Sequence, residues 1–240
     1  MNRPSLRDDG KWVLVPGTLC TGRVFDPILT QLGVNPGDRR VVSVDMPDVR
    51  DYEDRLRTTV SAGDIVCGFS LGALVLAHNL DALRAARAVV LLASNPFPDP
   101  PGKRANREAV RDRVMQGDAQ GWIVDNWALM SASRRTDLRE FVASMAVETA
   151  HLIEAQTELA LSRPGAEDQL ANTDLPLVFV TGAEDRLTPA EPLQGIVAEN
   201  PSAHLSVLNG LGHFALIEAP DRVAAAIREG MATVLPGEDA

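Results

Sequence analysis

The stretch Asp64-Ile-Val-Cys-Gly-Phe-Ser-Leu-Gly-Ala-Leu-Val-Leu-Ala77 joins two apolar runs through a turn that carries Gly68, Ser70 and Gly72. The first run favours a buried strand, and the second has helical spacing. Because glycine lacks a Cβ, the backbone can bend sharply here and the strand can pack close to the helix. The pattern predicts Ser70 at the tip of a strand-to-helix turn, beside the helix N-terminus. A short Gly-x-Ser-x-Gly pattern also occurs by chance in ordinary turns, so its partners elsewhere must decide its meaning.

Composition narrows the class of protein. The 240 residues are enough for one domain, or for one domain with an inserted lobe, and carry a net charge of −10. Basic residues are interspersed with acidic ones, so we expect neither a nucleic-acid partner nor an anionic membrane surface. Oligomeric state stays open between monomer and homodimer.

The two cysteines and the N-terminal sequence indicate a compartment. Cys20 and Cys67 have no paired spacing, which predicts neither a disulfide framework nor a zinc site. We interpret Cys67 as a core residue and favour packing for Cys20 as well, although its loop position leaves that less clear. Residues 1–10 lack the apolar centre of a signal peptide, and no later run reaches membrane-spanning length. The expected location is the cytoplasm.

Short β-branched runs alternate with helix-sized segments along most of the chain. This rhythm predicts βαβ units, and therefore a mostly parallel sheet of about six strands with flanking helices. The helix after Ser70 is expected to reach about Leu83, and a last helix to run from Pro220 to about Leu235. The predicted strands cover 11–16, 40–44, 64–69, 88–93, 175–181 and 204–208.

The rhythm breaks between residues 97 and 170, where a proline-rich start leads into amphipathic helical segments. Because this stretch leaves the sheet at a carboxyl end, where open α/β sheets bind ligands, we interpret it as a helical lid. The core is then formed by residues 1–96 and 171–240.

A serine hydroxyl needs a general base, and the base needs an orienting acid. Of the four histidines, only His213 lies in a glycine-flanked loop just past a predicted strand. The loop after the fifth predicted strand supplies Asp185, with Glu184 as the neighbour that remains a second candidate. The order serine, acid, histidine is the one found in α/β-hydrolases.

The chain resembles the α/β-hydrolase superfamily over nearly its whole length, through Gly68–Gly72, Gly182–Pro189 and Gly212–Pro220. Within it, the chain is most similar to small lidded serine esterases of the pimeloyl-acyl-carrier-protein methyl ester esterase kind. The resemblance implies an α/β-hydrolase fold, with Ser70 as nucleophile, Asp185 as acid and His213 as base.

The resemblance also implies an oxyanion hole at the backbone N–H of Leu71 and of the residue after Pro16-Gly17. That residue is Thr18, with Leu19 one position away. The family usually has His-Gly where this chain has Pro16-Gly17, and the missing histidine shapes this loop in relatives. The N-terminal hairpin of many relatives is also not expected.

The predicted activity is hydrolysis of a carboxylic ester of a hydrophobic small molecule, with no metal or organic cofactor. The alternatives are an acyl thioesterase acting on CoA or a carrier protein, a lyase, isomerase or perhydrolase on the same scaffold, and a non-catalytic ligand receptor. Basic residues near the start of the lid are the only support for a carrier. Substrate contacts are expected from Leu19, Trp122, Trp127 and Phe214.

Overall fold

The computed structural model describes residues 10–235, and it has one six-stranded sheet in the order β2-β1-β3-β4-β5-β6. All five strand pairings are parallel. The prediction of a mostly parallel sheet of about six strands is therefore confirmed. Residues 1–9 and 236–240, the ends of the predicted core, lie outside the described residues. The strands are β1 (Trp12–Val15), β2 (Arg39–Val41), β3 (Ile65–Phe69), β4 (Ala88–Leu92), β5 (Leu177–Gly182) and β6 (Ala203–Leu208).

Helices connect these strands, as crossovers between parallel strands require. They are α1 (Asp26–Leu32), α2 (Glu53–Thr59), α3 (Leu71–His78), α4 (Arg104–Met115), α5 (Ala119–Met130), α6 (Thr136–Thr149), α7 (Ile153–Ser162), α8 (Glu167–Ala171), α9 (Glu191–Glu199), α10 (Ala215–Glu218) and α11 (Pro220–Val234).

Both faces of the sheet are covered, so the central strands β1, β3 and β4 are buried and apolar at every position rather than at alternate ones. On one face α1 and α11 pack together, and α11 also packs on β5 and β6. On the other face α3 packs on β1, β3 and β4, and α9 packs on β6. Residues Leu71 to Ala77 of α3 are all buried, which places this helix at the centre of the second layer.

Two predicted element boundaries differ from the structure by more than two residues. The second strand was expected over 40–44, but β2 ends at Val41, and only the Val42 N–H continues the pairing, by donating to the Leu14 carbonyl. The helix after Ser70 was expected to reach Leu83, but α3 ends at His78. There the Asn79 side chain donates to the carbonyl oxygens of Val75 and Val49, and a 3-10 turn follows.

Five helices, α4 to α8, lie between β4 and β5. Buried residues of α4, α5 and α6 continue the apolar core of the α1 face. Across residues 10–235, none of the helices has both the length and the apolar character needed to cross a membrane.

Candidate active site

Ser70 lies between β3 and α3 with φ 52° and ψ −114°, a backbone conformation that residues other than glycine rarely adopt. The turn needs glycine at positions 68 and 72, because a side chain at either position would clash with neighbouring backbone. A Cβ on Gly68 would lie 2.6 Å from the Ala73 Cα, and a Cβ on Gly72 would overlap the Val15 carbonyl. The predicted strand-to-helix turn is therefore present, with the serine at its tip.

The structure brings Ser70, His213 and Asp185 together from the carboxyl ends of three parallel strands. His213 Nε2 lies 3.0 Å from Ser70 Oγ, and His213 Nδ1 lies 2.8 Å from Asp185 Oδ2. The Asp185 side chain is fully buried, whereas Glu184 is exposed and does not contact the imidazole. Of the two acidic candidates, the geometry therefore selects Asp185.

The Asp185 carboxylate is held by its own loop as well as by His213. Its Oδ1 accepts the backbone N–H groups of Leu187 and Thr188, both at 2.9 Å, and its Oδ2 accepts the Thr188 hydroxyl at 2.5 Å. Burial by itself raises the pKa of Asp185, but attraction to the His213 imidazole and these hydrogen bonds hold the pKa below its ordinary value of 3.8. Thr188 follows the acid by three residues in the same loop and was not predicted from the sequence.

The loop after β1 approaches Ser70 closely, since a Cβ on Gly17 would lie 3.0 Å from the Ser70 Cβ. Thr18 and Leu71 both line the cavity above Ser70, and within residues 10–235 neither of their backbone N–H groups donates a hydrogen bond. The Leu19 N–H instead donates to Gln156 Oε1 at 3.1 Å. Of the two candidate donors in this loop, only the Thr18 N–H is available to a ligand.

Gln156 is a buried residue of α7 that the sequence argument also missed. Its Oε1 accepts the Leu19 N–H, and its Nε2 donates to the Val44 carbonyl at 3.0 Å. Leu19 has a φ of 57°, so the loop takes a left-handed bend at the residue that Gln156 holds. The position offered no local signal, because Gln156 and Leu19 are 137 residues apart.

A cavity of about 650 Å³ opens above Ser70. Of the four residues expected to contact substrate, Trp122 and Phe214 line this cavity. Leu19 and Trp127 do not line it: Leu19 is buried with its N–H bonded to Gln156, and Trp127 stacks on Phe214 with its Nε1 donating to the Ser133 carbonyl. The remaining apolar wall comes mainly from Phe69, Leu74, Val110, Ile123, Leu129, Met130 and Ile153.

Both cysteines are buried, and burial raises the pKa of the Cys20 thiol to about 12. Burial likewise raises the pKa of Cys67. Both thiols are therefore packed in the core. No cluster of three or more histidine, cysteine, aspartate or glutamate side chains suited to a metal occurs among residues 10–235.

A strained serine turn at the carboxyl edge of a covered parallel sheet, followed along the chain first by the acid and then by the histidine, defines the α/β-hydrolase class. The chain belongs to the Alpha/beta hydrolase family, whose model matches residues 12–226. A curated relative, the pimeloyl-[acyl-carrier protein] methyl ester esterase of Xanthomonas oryzae pv. oryzae, is 25% identical over 92% of this chain and 95% of its own length.

Solved structures are similar in fold. A thermophilic esterase from Thermogutta terrifontis has a TM-score of 0.76 and 20% identity, covering 94% of this chain and 91% of that one. A carboxylesterase structure from the ammonia-oxidizing Nitrososphaera gargenis has a TM-score of 0.77 and 16% identity, with coverages of 94% and 90%. At these identities the likeness concerns the fold alone.

Proposed function

We propose that this protein is a serine hydrolase that cleaves a carboxylic ester of a hydrophobic small molecule. The observation that carries the proposal is the continuous chain from Ser70 Oγ through the His213 imidazole to Asp185, with contacts of 3.0 and 2.8 Å. Its serine end faces the largely apolar cavity. A nucleophile, a base and an orienting acid in this geometry are what acyl transfer needs.

In the proposed mechanism, Ser70 Oγ attacks the ester carbonyl carbon while His213 Nε2 takes the hydroxyl proton. Asp185 holds the imidazole with its Nδ1–H toward the carboxylate and stabilises the imidazolium that forms. The proton then passes from Nε2 to the leaving alcohol, which leaves an acyl group on Ser70. Water, deprotonated by His213, attacks this acyl-enzyme and releases the carboxylic acid and the free serine.

The tetrahedral oxyanion would lie between the backbone N–H groups of Leu71 and Thr18. Leu71 is the first residue of α3, so its N–H points from a helix N-terminus, where partial positive charge favours an anion. Thr18 supplies the second donor from the loop after β1. The start of α3 and the loop contact of Gln156 with Leu19 would hold both donors in place before substrate binds, which is the condition for strong stabilisation of the transition state.

Residues 97–170 are proposed to act as the lid over this site. Support comes from the cavity wall, to which α4, α5 and α7 contribute Val110, Trp122, Ile123 and Gln156 among others. An apolar wall of this kind favours an apolar acyl or alcohol group.

The mechanism is tested with Ser70→Ala. We expect this variant to lose turnover of an activated short-chain ester and labelling by a fluorophosphonate, with an unchanged melting temperature. Undiminished turnover in the folded variant would contradict the mechanism. Mass spectrometry of products formed in labelled water separates hydrolysis, which incorporates the label, from isomerisation or lyase chemistry, which does not. Tight binding of an ester without multiple turnovers would instead favour a receptor.

Hydrolysis of an acyl group bound to CoA or a carrier protein, as an ester or as a thioester, is the second candidate. The curated relative is an esterase for a methyl ester on an acyl carrier protein, which favours the carrier-bound ester over the thioester. The basic residues at the start of the lid support it weakly, because the arginines are paired. Arg104 pairs with Glu108, Arg107 with Asp99, and Arg111 with Asp112, while Arg113 pairs with Asp118 and Asp125. Charge reversal at Arg104 and Arg111 should raise the KM of a carrier-bound substrate if a carrier docks there, and leave it unchanged otherwise.

A further inference from the structure

The cavity above Ser70 has a charge opposite to that of the whole chain. Its wall includes four basic residues, Lys103, Arg107, Arg163 and Arg186, and no acidic one among the described residues, although the chain carries a net charge of −10. A cleft lined by one sign of charge concentrates ligands of the other sign.

The carboxylate that accompanies these cations lies behind the cavity wall. Asp99 is buried, and it pairs with Arg107 and with Arg163, the latter at 2.7 Å. Burial raises the pKa of Asp99, but its two arginine partners outweigh this and hold the pKa below the ordinary value, so the carboxylate is charged. Neither Lys103 nor Arg186 forms an ion pair within residues 10–235. One buried carboxylate therefore compensates only part of the positive charge.

Arg163 adds a further positive charge at this wall. Its side chain is 2% exposed, and its two terminal nitrogens are occupied by the Ala160 carbonyl and Asp99. Its Nε is buried as well, so Arg163 holds its charge within the wall and offers no accessible donor to a ligand. Lys103 and Arg107 also line the cavity, and the Arg107 side chain is 30% exposed, so these two cations are the ones that an anionic group can contact there.

The apolar part of the cavity wall indicates what else a ligand of this site carries. Val110, Ile123, Met130 and Phe214 present apolar surface in the same cavity. A ligand that matches both the basic and the apolar residues of this wall has an apolar chain and an anionic end, with its ester at Ser70.

We propose that Lys103 and Arg107, with the charge of Arg163 behind them, form a subsite for an anionic oxygen group, a carboxylate or a phosphate, that the substrate carries away from its scissile ester. This inference rests on the proposed hydrolase function and adds the substrate class. A neutral ester of the same chain length would bind and react, but without the contribution of the subsite.

The test compares three activated esters of matched chain length: para-nitrophenyl hexanoate, the mono-para-nitrophenyl ester of adipate, and the analogue whose terminal carboxylate is replaced by a phosphonate. We expect kcat/KM to be about tenfold higher for at least one anionic ester than for hexanoate, since a charged hydrogen bond contributes about this factor. The larger of the two gains distinguishes a carboxylate from a phosphate.

Lys103→Gln and Arg107→Gln should abolish this preference, because each removes a cavity cation and leaves Asp99 its Arg163 partner. Arg104→Gln is the matched control, because it removes a charge from the start of α4 while Arg104 pairs with Glu108 outside the cavity. This variant should retain the preference for anionic esters. Equal kcat/KM values for all three esters, or a preference that survives in the two cavity variants, would overturn the proposal.

Failure of the subsite can be distinguished from failure of the hydrolase mechanism. Ser70-dependent hydrolysis of hexanoate without any anionic preference removes the subsite and keeps the mechanism. Binding of monomethyl adipate to Ser70→Ala, measured by calorimetry, does not depend on catalysis. We expect it to be about tenfold tighter than binding of methyl hexanoate, and equal affinities would again contradict the subsite.

Discussion

Gln156 accepts the backbone N–H of Leu19 at 3.1 Å, so a buried side chain of α7 holds the loop that approaches Ser70 from β1. The resemblance to α/β-hydrolases leads us to expect a histidine in that loop, and this chain has Pro16 there instead. Proline has no N–H to donate and fixes its own φ. Gln156 gives the loop a different anchor, which reaches across to the Val44 carbonyl as well.

Replacing Gln156 should therefore damage catalysis more than binding. In Gln156→Leu the Leu19 N–H loses its acceptor, the bend at Leu19 relaxes, and the Thr18 N–H moves from the position of the oxyanion. We expect kcat to fall about tenfold to a hundredfold, less than for complete loss of an oxyanion donor, with little change in KM. Steady-state kinetics on an activated ester measure the split between kcat and KM.

Gln156→Glu is the partner variant, since it keeps an acceptor for Leu19 and replaces the amide donor to the Val44 carbonyl by a carboxyl oxygen. It should recover part of the kcat lost in the leucine variant. Equal losses in two variants with wild-type melting temperatures would show that the Leu19 contact does not position the loop.

Substitutions at the adjacent residues Asp185 and Glu184 test which of them orients His213. Asp185→Asn should lower kcat by about a thousandfold to ten-thousandfold, because the amide no longer holds the imidazole in the productive tautomer. Glu184→Gln changes the adjacent residue, which is exposed, and should leave kcat within about twofold of the wild type. Single-turnover rates with the same ester check both. A large loss in the Glu184 variant would contradict the assignment of the acid.

Thr188 is expected to act through Asp185. Its hydroxyl donates to Asp185 Oδ2 at 2.5 Å and lies 3.3 Å from His213 Nδ1. Thr188→Val removes this donor while keeping the shape, so the pKa of Asp185 should rise and kcat should fall about tenfold. Thr188→Ser keeps the hydroxyl and should restore most of the activity. A valine variant as active as the serine variant would contradict this role.

The sequence predicted the parts of the site whose requirements are local. The turn residues Gly68, Ser70 and Gly72 lie within five positions of the chain. The loops that carry Asp185 and His213 directly follow strands, so the local pattern and the chain order were enough to place these residues near one another. Gln156 could not be found in this way, because its contact with Leu19 depends on how α7 packs. Trp127 shows a missed signal: it lies five positions after Trp122 in α5, and residues at that spacing face different sides of a helix.

The turn glycines can be tested by adding a single methyl group. In Gly68→Ala the new Cβ would lie 2.6 Å from the Ala73 backbone, which cannot move without displacing α3. We expect a loss of more than about 3 kcal/mol of unfolding free energy, or no soluble protein. Gly195→Ala is the control, because no atom lies within 4 Å of its added Cβ and alanine favours the helix, so this variant should gain about 0.5 to 1 kcal/mol. Denaturant unfolding measures both, and equal stabilities would contradict the steric argument.

His78, the last residue of α3, should make the stability of the fold depend on pH. Burial and the nearby charge of Arg163 lower the pKa of its imidazole from 6.5 to about 4. Above pH 6.5 neither the folded nor the unfolded chain protonates this ring, so it contributes no pH dependence there. Between pH 6.5 and 4 the unfolded chain binds a proton that the folded chain does not, and the unfolding free energy falls as the pH is lowered.

The expected loss at His78 is about 2 kcal/mol by pH 4, since the ring is only partly buried and solvent screens part of the effect. His78→Gln should lose less stability than the wild type between pH 7 and pH 5, as measured by urea unfolding across that range. His151→Gln, which changes an exposed histidine, should follow the wild-type curve. If the His78 variant also follows that curve, the fold does not protect the ring from protonation, and other groups must account for any acid sensitivity.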